Sequence, residues 1–246
     1  MNRYHRFPIL IAMLLGLMTS AVQAQEITAL WATGSAVPGR IQQLQRMPDG
    51  TFRFAGALQA GELRVQTTRK ANAQTRYLAP TLIDALLVNK GSACRETTDG
   101  QAPGWQVLSA DPHYRLVVDP QRLTLRGEIF QPWGELFIAG GATEAGWNEG
   151  KMLLMQQDIN DPYVWTWEGE LRNRPENVEP RRFKFQGQDR WGPKSLHPFA
   201  QDTDILKDSR LRTGGADNKW SVSAEGRYRI TVDIFHETVR AERLDR

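Results

Sequence analysis

Four segments of this chain occur twice, in the same order, and no other feature narrows its possible folds so far. "ALWATGSA" at 29–36 aligns with "ELFIAGGA" at 135–142, with Leu, an aromatic, Gly and Ala in step. "TFRFAGALQ" at 51–59 aligns with "VWTWEGELR" at 164–172, each reading aromatic-x-aromatic followed by x-Gly-x-Leu. "ELRVQ" at 62–66 aligns with "RFKFQ" at 182–186, and "GWQVLSADPHYRLVVD" at 104–119 with "KWSVSAEGRYRITVD" at 219–233. Trp105, Tyr114, Leu116, Val118 and Asp119 thereby pair with Trp220, Tyr228, Ile230, Val232 and Asp233. Each repeat is about 100 residues long, a usual domain size. The link between them, "EIFQPWGE" at 128–135, is short and carries Pro132, which predicts two units held close with restricted relative motion.

The matched segments read as strands. "RYRITVDI" alternates Tyr228, Ile230, Val232 and Ile234 with Arg227, Arg229, Thr231 and Asp233, a period of two. Trp165/Trp167 and Phe183/Phe185 repeat that spacing, and "DINDP" and "AEG" are turn signals ahead of strands. Short half-buried strands at this spacing predict an all-β chain of two tandem antiparallel β-sandwich domains, immunoglobulin-like in type. The clearest helical candidate is "PTLIDALLV" at 80–88.

Residues 1–24 read as a signal peptide. Arg3 and Arg6 precede the apolar run "FPILIAMLLGLM" at 7–18, and Val22 and Ala24 supply small residues at a cleavage point before Gln25. The run is shorter than the roughly 20 residues that span a bilayer. No cysteine lies near the cleavage point, so the reading expects no lipid anchor there. The expected mature chain has 222 residues (246 minus 24) and a charge of +1 (29 basic minus 28 acidic), which leaves no electrostatic footprint for nucleic acid. Cys94 is the only cysteine and the four histidines are scattered, so no disulfide, metal or cofactor is expected. The expected boundaries are 25–128 for the first unit, 129–134 for the linker and 135–246 for the second.

Eight tryptophans invite a division between core and function. Trp165 and Trp167 lie on one strand face where the first repeat has Phe52 and Phe54, and Trp105 and Trp220 open equivalent strands, so all four read as core. Trp147, in "GWNEGK", and Trp191, in "DRWGPK", fall in loops where the first repeat has no matching aromatic, Tyr77 being a loose equivalent of Trp191. A fold that can omit a residue does not require it. One face of a pyranose presents C–H groups that can lie on an indole, while its hydroxyl rim needs donors and acceptors such as Lys, Arg, Asn and Asp. Gly140-Gly141 is followed by no helix pattern with a phosphate-binding lysine, so it reads as a turn at the sheet rim rather than a nucleotide loop.

The pieces "LFIAGGATEAGWN", "WTWEGEL", "RFKFQG", "DRWGP" and "GGADNKWSVSAEGRYRITVDI", in that order, resemble the starch-binding modules of the SusE/SusF family of surface glycan-binding proteins. The resemblance covers about 135–240, and the first repeat follows the same strand scheme with poorer loops. It implies non-catalytic, carbohydrate-binding-module-like β-sandwiches that take starch or malto-oligosaccharide. It implies Trp147 and Trp191 as sugar platforms, with Lys184, Lys194, Lys207 and Asn218 as polar companions. It also implies an outer-membrane setting, periplasmic or extracellular, with a glycan transporter or other surface glycan-binding proteins as partners.

Two other classes compete. An interaction protein of such an uptake complex would present the same aromatics to a partner without binding sugar. A glycoside hydrolase would need two carboxyl groups facing a cleft about 5 to 9.5 Å apart. The loops hold Glu144, Glu149, Asp189, Asp202 and Asp204, but no nucleophile-elbow, zinc-protease or phosphate-loop motif accompanies them.

Overall fold

The computed structural model describes residues 26–173 and 181–244, so the expected leader lies outside the described residues. Those residues are all-β, with no α-helix among them and none long and apolar enough to cross a membrane. The first repeat carries β1 (Leu30–Thr33), β2 (Ile41–Arg46), β3 (Phe52–Leu58), β4 (Gly61–Gln66), β5 (Tyr77–Pro80), β6 (Ser92–Thr97), β7 (Trp105–Val107), β8 (Asp111–Asp119) and β9 (Thr124–Ile129). The second carries β10 (Phe137–Ala139), β11 (Leu153–Leu154), β12 (Gln156–Gln157), β13 (Val164–Leu171), β14 (Arg182–Gln186) and β15 (Ser195–His197). It ends with β16 (Thr203–Asp204), β17 (Arg212–Thr213), β18 (Trp220–Ser221), β19 (Gly226–Asp233) and β20 (Thr238–Arg243).

Every strand pairs within its own repeat, and the registers match residue for residue. Phe52 lies opposite Val118 and Phe54 opposite Leu116; Trp165 lies opposite Val232 and Trp167 opposite Ile230. Ala32 faces Val65 as Ile138 faces Phe185, and Leu63 faces Trp105 as Phe183 faces Trp220. The shared aromatic-x-Gly spacing has a steric reason. A Cβ on Gly56 would come within 3.0 Å of the Phe54 ring, and one on Gly169 within 2.3 Å of the Trp167 ring. In each strand the aromatic covers bare glycine backbone two residues on.

The two repeats close differently. In the first, the antiparallel order β1-β2-β3-β8-β9-β6-β5-β4 returns to β1, a barrel-like ring around Leu30, Phe52, Leu63, Val65, Trp105, Leu116 and Val118. In the second, the four-stranded sheet β12-β13-β19-β20 and a larger sheet built on β10, β14, β15 and β17 face one core, and the isolated Arg210–Thr238 bridge links β20 to the segment before β17. Trp165, Trp167, Phe183, Phe185, Trp220 and Tyr228 fill that core, and Trp105 and Trp220 are both fully buried.

The expected helix at 80–88 is absent. Pro80 ends β5, Asp84 takes a left-handed φ of 55°, and Leu86 bridges in parallel to Gln106. The Leu87 N–H donates to the Gln106 carbonyl (3.0 Å) and the Gln106 N–H to the Ala85 carbonyl (2.8 Å). The backbone groups that a helix would use internally are thus spent on β7, and the apolar run reflects Leu87 packing against the first core.

Residues 129–134 are built into the packing. Ile129 ends β9, while Phe130 and Trp133 are buried in the second core. The repeats meet through His113, Phe130, Tyr163 and Phe235, whose rings lie 4.7 to 6.3 Å apart in five of their pairings. Glu237, buried, accepts from Arg53 and from Arg115 (2.6 Å) across that boundary, and from the Thr213 N–H (3.1 Å) and hydroxyl (3.0 Å) within its own repeat. Burial pulls the Arg115 guanidinium below its ordinary pKa, and the facing Glu237 carboxylate opposes that shift.

Candidate functional site

The outer face of β10 and β14 carries a second, smaller apolar layer. Phe137, Ala139 and Met152 are buried there, with Lys184 and Gln186 as their ladder neighbours on β14. Two loops cover it, 140–152 after β10 and 187–194 after β14. The first loop can leave the strand only through a glycine. Gly140 has φ +151°, and a Cβ on it would lie 2.3 Å from the Arg182 carbonyl oxygen; Gly34 makes the same approach to the Glu62 oxygen, also 2.3 Å. Two carboxylates tie the loops together: Glu149 accepts from the Trp191 N–H at 2.7 Å and Asp189 from the Met152 N–H at 3.2 Å.

That tie brings Trp147 and Trp191 together. Their ring centroids are 6.0 Å apart and their planes meet at 45°. Trp191 is 38% exposed and Trp147 is half-buried, its Nε1 lying out of solvent without a hydrogen-bond partner. An ammonium stands over each ring, Lys184 Nζ 4.7 Å from the Trp191 centroid and Lys219 Nζ 5.6 Å from that of Trp147. Asp217 joins the two cations, at 2.8 Å from Lys184 and 3.2 Å from Lys219. Partial burial pushes the Asp217 carboxyl up, but the hydrogen bonds from Lys184 and Lys219 outweigh it, and the net shift is below the ordinary carboxylate value.

The residues expected at this site divide into two groups. Trp147, Trp191 and Lys184 are in contact, with Lys184 buried and ion-paired beneath the rings rather than free to reach outward. Lys194 lies on the Trp191 loop; its carbonyl accepts from the Gly187 N–H at 2.7 Å and closes that loop, while its side chain is exposed. Asn218 borders the site, but its amide nitrogen donates inward to the Pro198 (3.2 Å) and Phe199 (3.1 Å) carbonyls. Lys207 sits apart. It lies 3.8 Å from Asp204 and lines a groove with Val164, Thr231 and Arg240, touching neither tryptophan. Tyr77 is opposite Gln66 as Ser195 is opposite Gln186, so its counterpart is Ser195 and not Trp191.

Sequence reasoning did not name Lys219, Asp217 or His197, and it weighed Glu149 only as a loop acid. Lys219 and Asp217 bracket Asn218 in "GGADNK", so spacing alone could have nominated them. His197 is buried on β15, and its Nδ1–H donates to the Asn218 carbonyl (2.9 Å) with Asp217 Oδ1 3.6 Å away. Burial lowers its pKa below 6.5, against the opposing pull of that carbonyl and of Asp217. The loop acids other than Glu144 are committed locally: Glu149 and Asp189 to loop N–H groups, Asp202 to Arg182, and Asp204 to the Leu206 N–H. Among the described residues no group of three or more His, Cys, Asp or Glu is placed to hold a metal ion.

No protein-family model matches the chain, and no curated protein matches it either. Among solved structures it is similar to SusF from Bacteroides thetaiotaomicron, with 11% identity, 89% of this chain and 49% of SusF covered, and a TM-score of 0.36. The chain thus spans about half the length of that protein, and a score so low does not establish a common fold.

Proposed function

We propose that this is an exported, non-catalytic glycan-binding protein of two antiparallel β modules, a ring at 25–128 and a two-sheet module at 135–246, joined by 129–134. The second module takes starch or another α-glucan. The observation that carries the reading is the contact of Trp147 and Trp191 at 6.0 Å on two loops whose aromatics the first repeat lacks. Each indole can receive the C–H face of one sugar, and planes at 45° suit a chain that curls more than a flat ribbon. Lys194 on the rim, with Lys219 held by Asp217, supplies charged donors for hydroxyl groups, while the buried Lys184 braces the Trp191 ring from beneath. The commitment of four loop acids to loop structure supports binding without hydrolysis.

Affinity electrophoresis in soluble starch or malto-oligosaccharide tests this. The mature protein should be retarded, and Trp147→Ala or Trp191→Ala should restore free mobility. Unchanged mobility of the wild type across α-glucans would sink the assignment.

A second reading, an interaction protein of an outer-membrane glycan-uptake complex, draws on Leu82, Ile83 and Leu108, which are 72%, 84% and 73% exposed on the first repeat. Absence of glycan binding together with co-purification of a membrane transporter would favour it. Mass spectrometry of the native N-terminus, expected at Gln25 without lipid, checks export.

A further inference from the structure

A cleft of about 500 Å³ runs between the two repeats and shares no lining residue with the tryptophan site. Its floor is the outward face of the first repeat's ring. Arg53, Val117 and Arg126 are lateral neighbours on β3, β8 and β9, while Phe52, Val118 and Leu125 beside them point into the core. Strands stand about 4.8 Å apart, so Arg53 and Arg126 rise from points roughly 10 Å from each other. Lys90, Gly91 and Ser92 form one margin, and Arg212 through Gly215 of the second repeat form the other wall.

The charges there do not balance. Five cationic residues line the cleft (Arg53, Lys90, Arg122, Arg126 and Arg212) against two carboxylates, Asp49 and Asp119. Both carboxylates are occupied close to home. Asp119 accepts from the Gln121 (3.0 Å) and Arg122 (2.9 Å) N–H groups, and Asp49 accepts from the Thr51 N–H (3.1 Å) and hydroxyl (2.6 Å). Glu237 answers Arg53 and Arg115 from the interface. Among the described residues Lys90, Arg126 and Arg212 make no ion pair. Arg53 and Arg212 both lean on the Phe199 ring, at 5.4 and 5.7 Å, and each has a buried Nε–H with no acceptor. Like charges gathered in a concave, partly apolar-walled space focus a positive potential, and guanidinium forks match oxyanions in shape.

We propose that this cleft is a second binding site, which takes the oxyanion group of an acidic ligand: a sulfate, a phosphate or a sugar carboxylate. The ligand bridges Lys90 and Arg126 of the first repeat and Arg212 of the second. Occupancy therefore adds a contact across the boundary that Glu237 already spans.

Titration calorimetry of the whole mature protein at low ionic strength tests this, with sodium sulfate, sodium phosphate and trigalacturonate in separate arms. At least one should bind with a Kd below about 1 mM, and the Lys90→Glu/Arg126→Glu double variant should weaken it by about tenfold or more. Both positions are exposed and unpaired, so that variant should fold, as a thermal melt would show. Which arm binds distinguishes an inorganic anion from an acidic sugar. No binding in any arm below about 10 mM, or equal binding by wild type and the double variant, overturns the proposal.

Discussion

Arg64 and Lys184 occupy the same rung of the same ladder in the two repeats, opposite Thr33 and Ala139, yet their surroundings have nothing else in common. Arg64 is satisfied by its own neighbourhood, donating to Glu62 at 2.9 Å and to the Gly100 carbonyl at 3.0 Å. Lys184 lies under Trp191 and is held by Asp217, below a loop tied down by Glu149. The β8–β9 and β19–β20 turns teach the same lesson. Asp119 and Asp233 cap them identically, each accepting from the N–H groups two and three residues on, and Leu123 and Glu237 share a left-handed φ of 50° and 54°. Leu123 packs on its own core, whereas Glu237 binds two arginines of the other repeat. Duplicated backbone leaves loop and turn residues free to diverge because few ladder contacts depend on them.

The largest expected effects test the equivalence. Trp105→Ala and Trp220→Ala should each cost about 3–5 kcal/mol in urea unfolding, as for other large-to-small core changes. A difference of more than about 2 kcal/mol between them would break the parallel between repeats. Replacement by Phe sharpens it. Trp105 Nε1 donates to Ser92 Oγ at 2.7 Å and Trp220 Nε1 has no partner, so the Phe variant should cost about 1 kcal/mol more at position 105.

Glu237→Ala should also cost about 3–5 kcal/mol, because it strands the buried Arg115 guanidinium and takes the partner from the part-buried Arg53, and Glu237→Gln should recover part of that. Leu123→Ala, at the equivalent turn position, should leave the contact between repeats intact and cost less than about 2 kcal/mol.

A smaller effect separates the two candidate binding faces. Trp191→Ala should weaken α-glucan binding by at least about tenfold, roughly 1.4 kcal/mol, while Arg64→Ala leaves it unchanged in the same titration. Loss of binding in the Arg64 variant would place the sugar on the first repeat.

The smallest effect is one of pH. His197 is buried and its folded pKa lies below its unfolded value of 6.5, so the unfolded chain takes up the proton first as pH falls. Its contribution to stability is complete above about pH 6.5 and declines as pH drops toward the folded value, by at most about 1.4 kcal/mol per pH unit. Ala79 holds the equivalent rung in the first repeat, opposite Arg95 as His197 is opposite Arg212. Thermal melts of His197→Gln should therefore lose this one slope relative to the wild type, and an unaltered slope would show that His197 is not the group responsible.

The repeat, its strands and the core tryptophans were legible because ladder neighbours impose period two and matching volumes wherever a side chain points inward. Trp165 and Trp167 could be read as core from Phe52 and Phe54 alone. The stretch at 80–88 misled for a related reason. Short apolar runs look alike in helix and extended chain, and the pairing with β7 that decides between them lies outside the run. Lys207 was grouped with the site by its distance along the chain, which says little about distance in space.

By itself the sequence determined that two copies of one strand plan exist, where their inward faces lie, and that Trp147 and Trp191 are dispensable to that plan. Only the tertiary structure decided that the first copy closes into a ring while the second divides into two sheets, and that the two loop tryptophans meet. It alone set Lys184, Asp217 and Lys219 around them and gathered five cations between the repeats. The physical reason is range. Side-chain alternation is a local consequence of backbone geometry, whereas closure, loop docking and charge pairing depend on groups brought together from distant positions by the burial of the core.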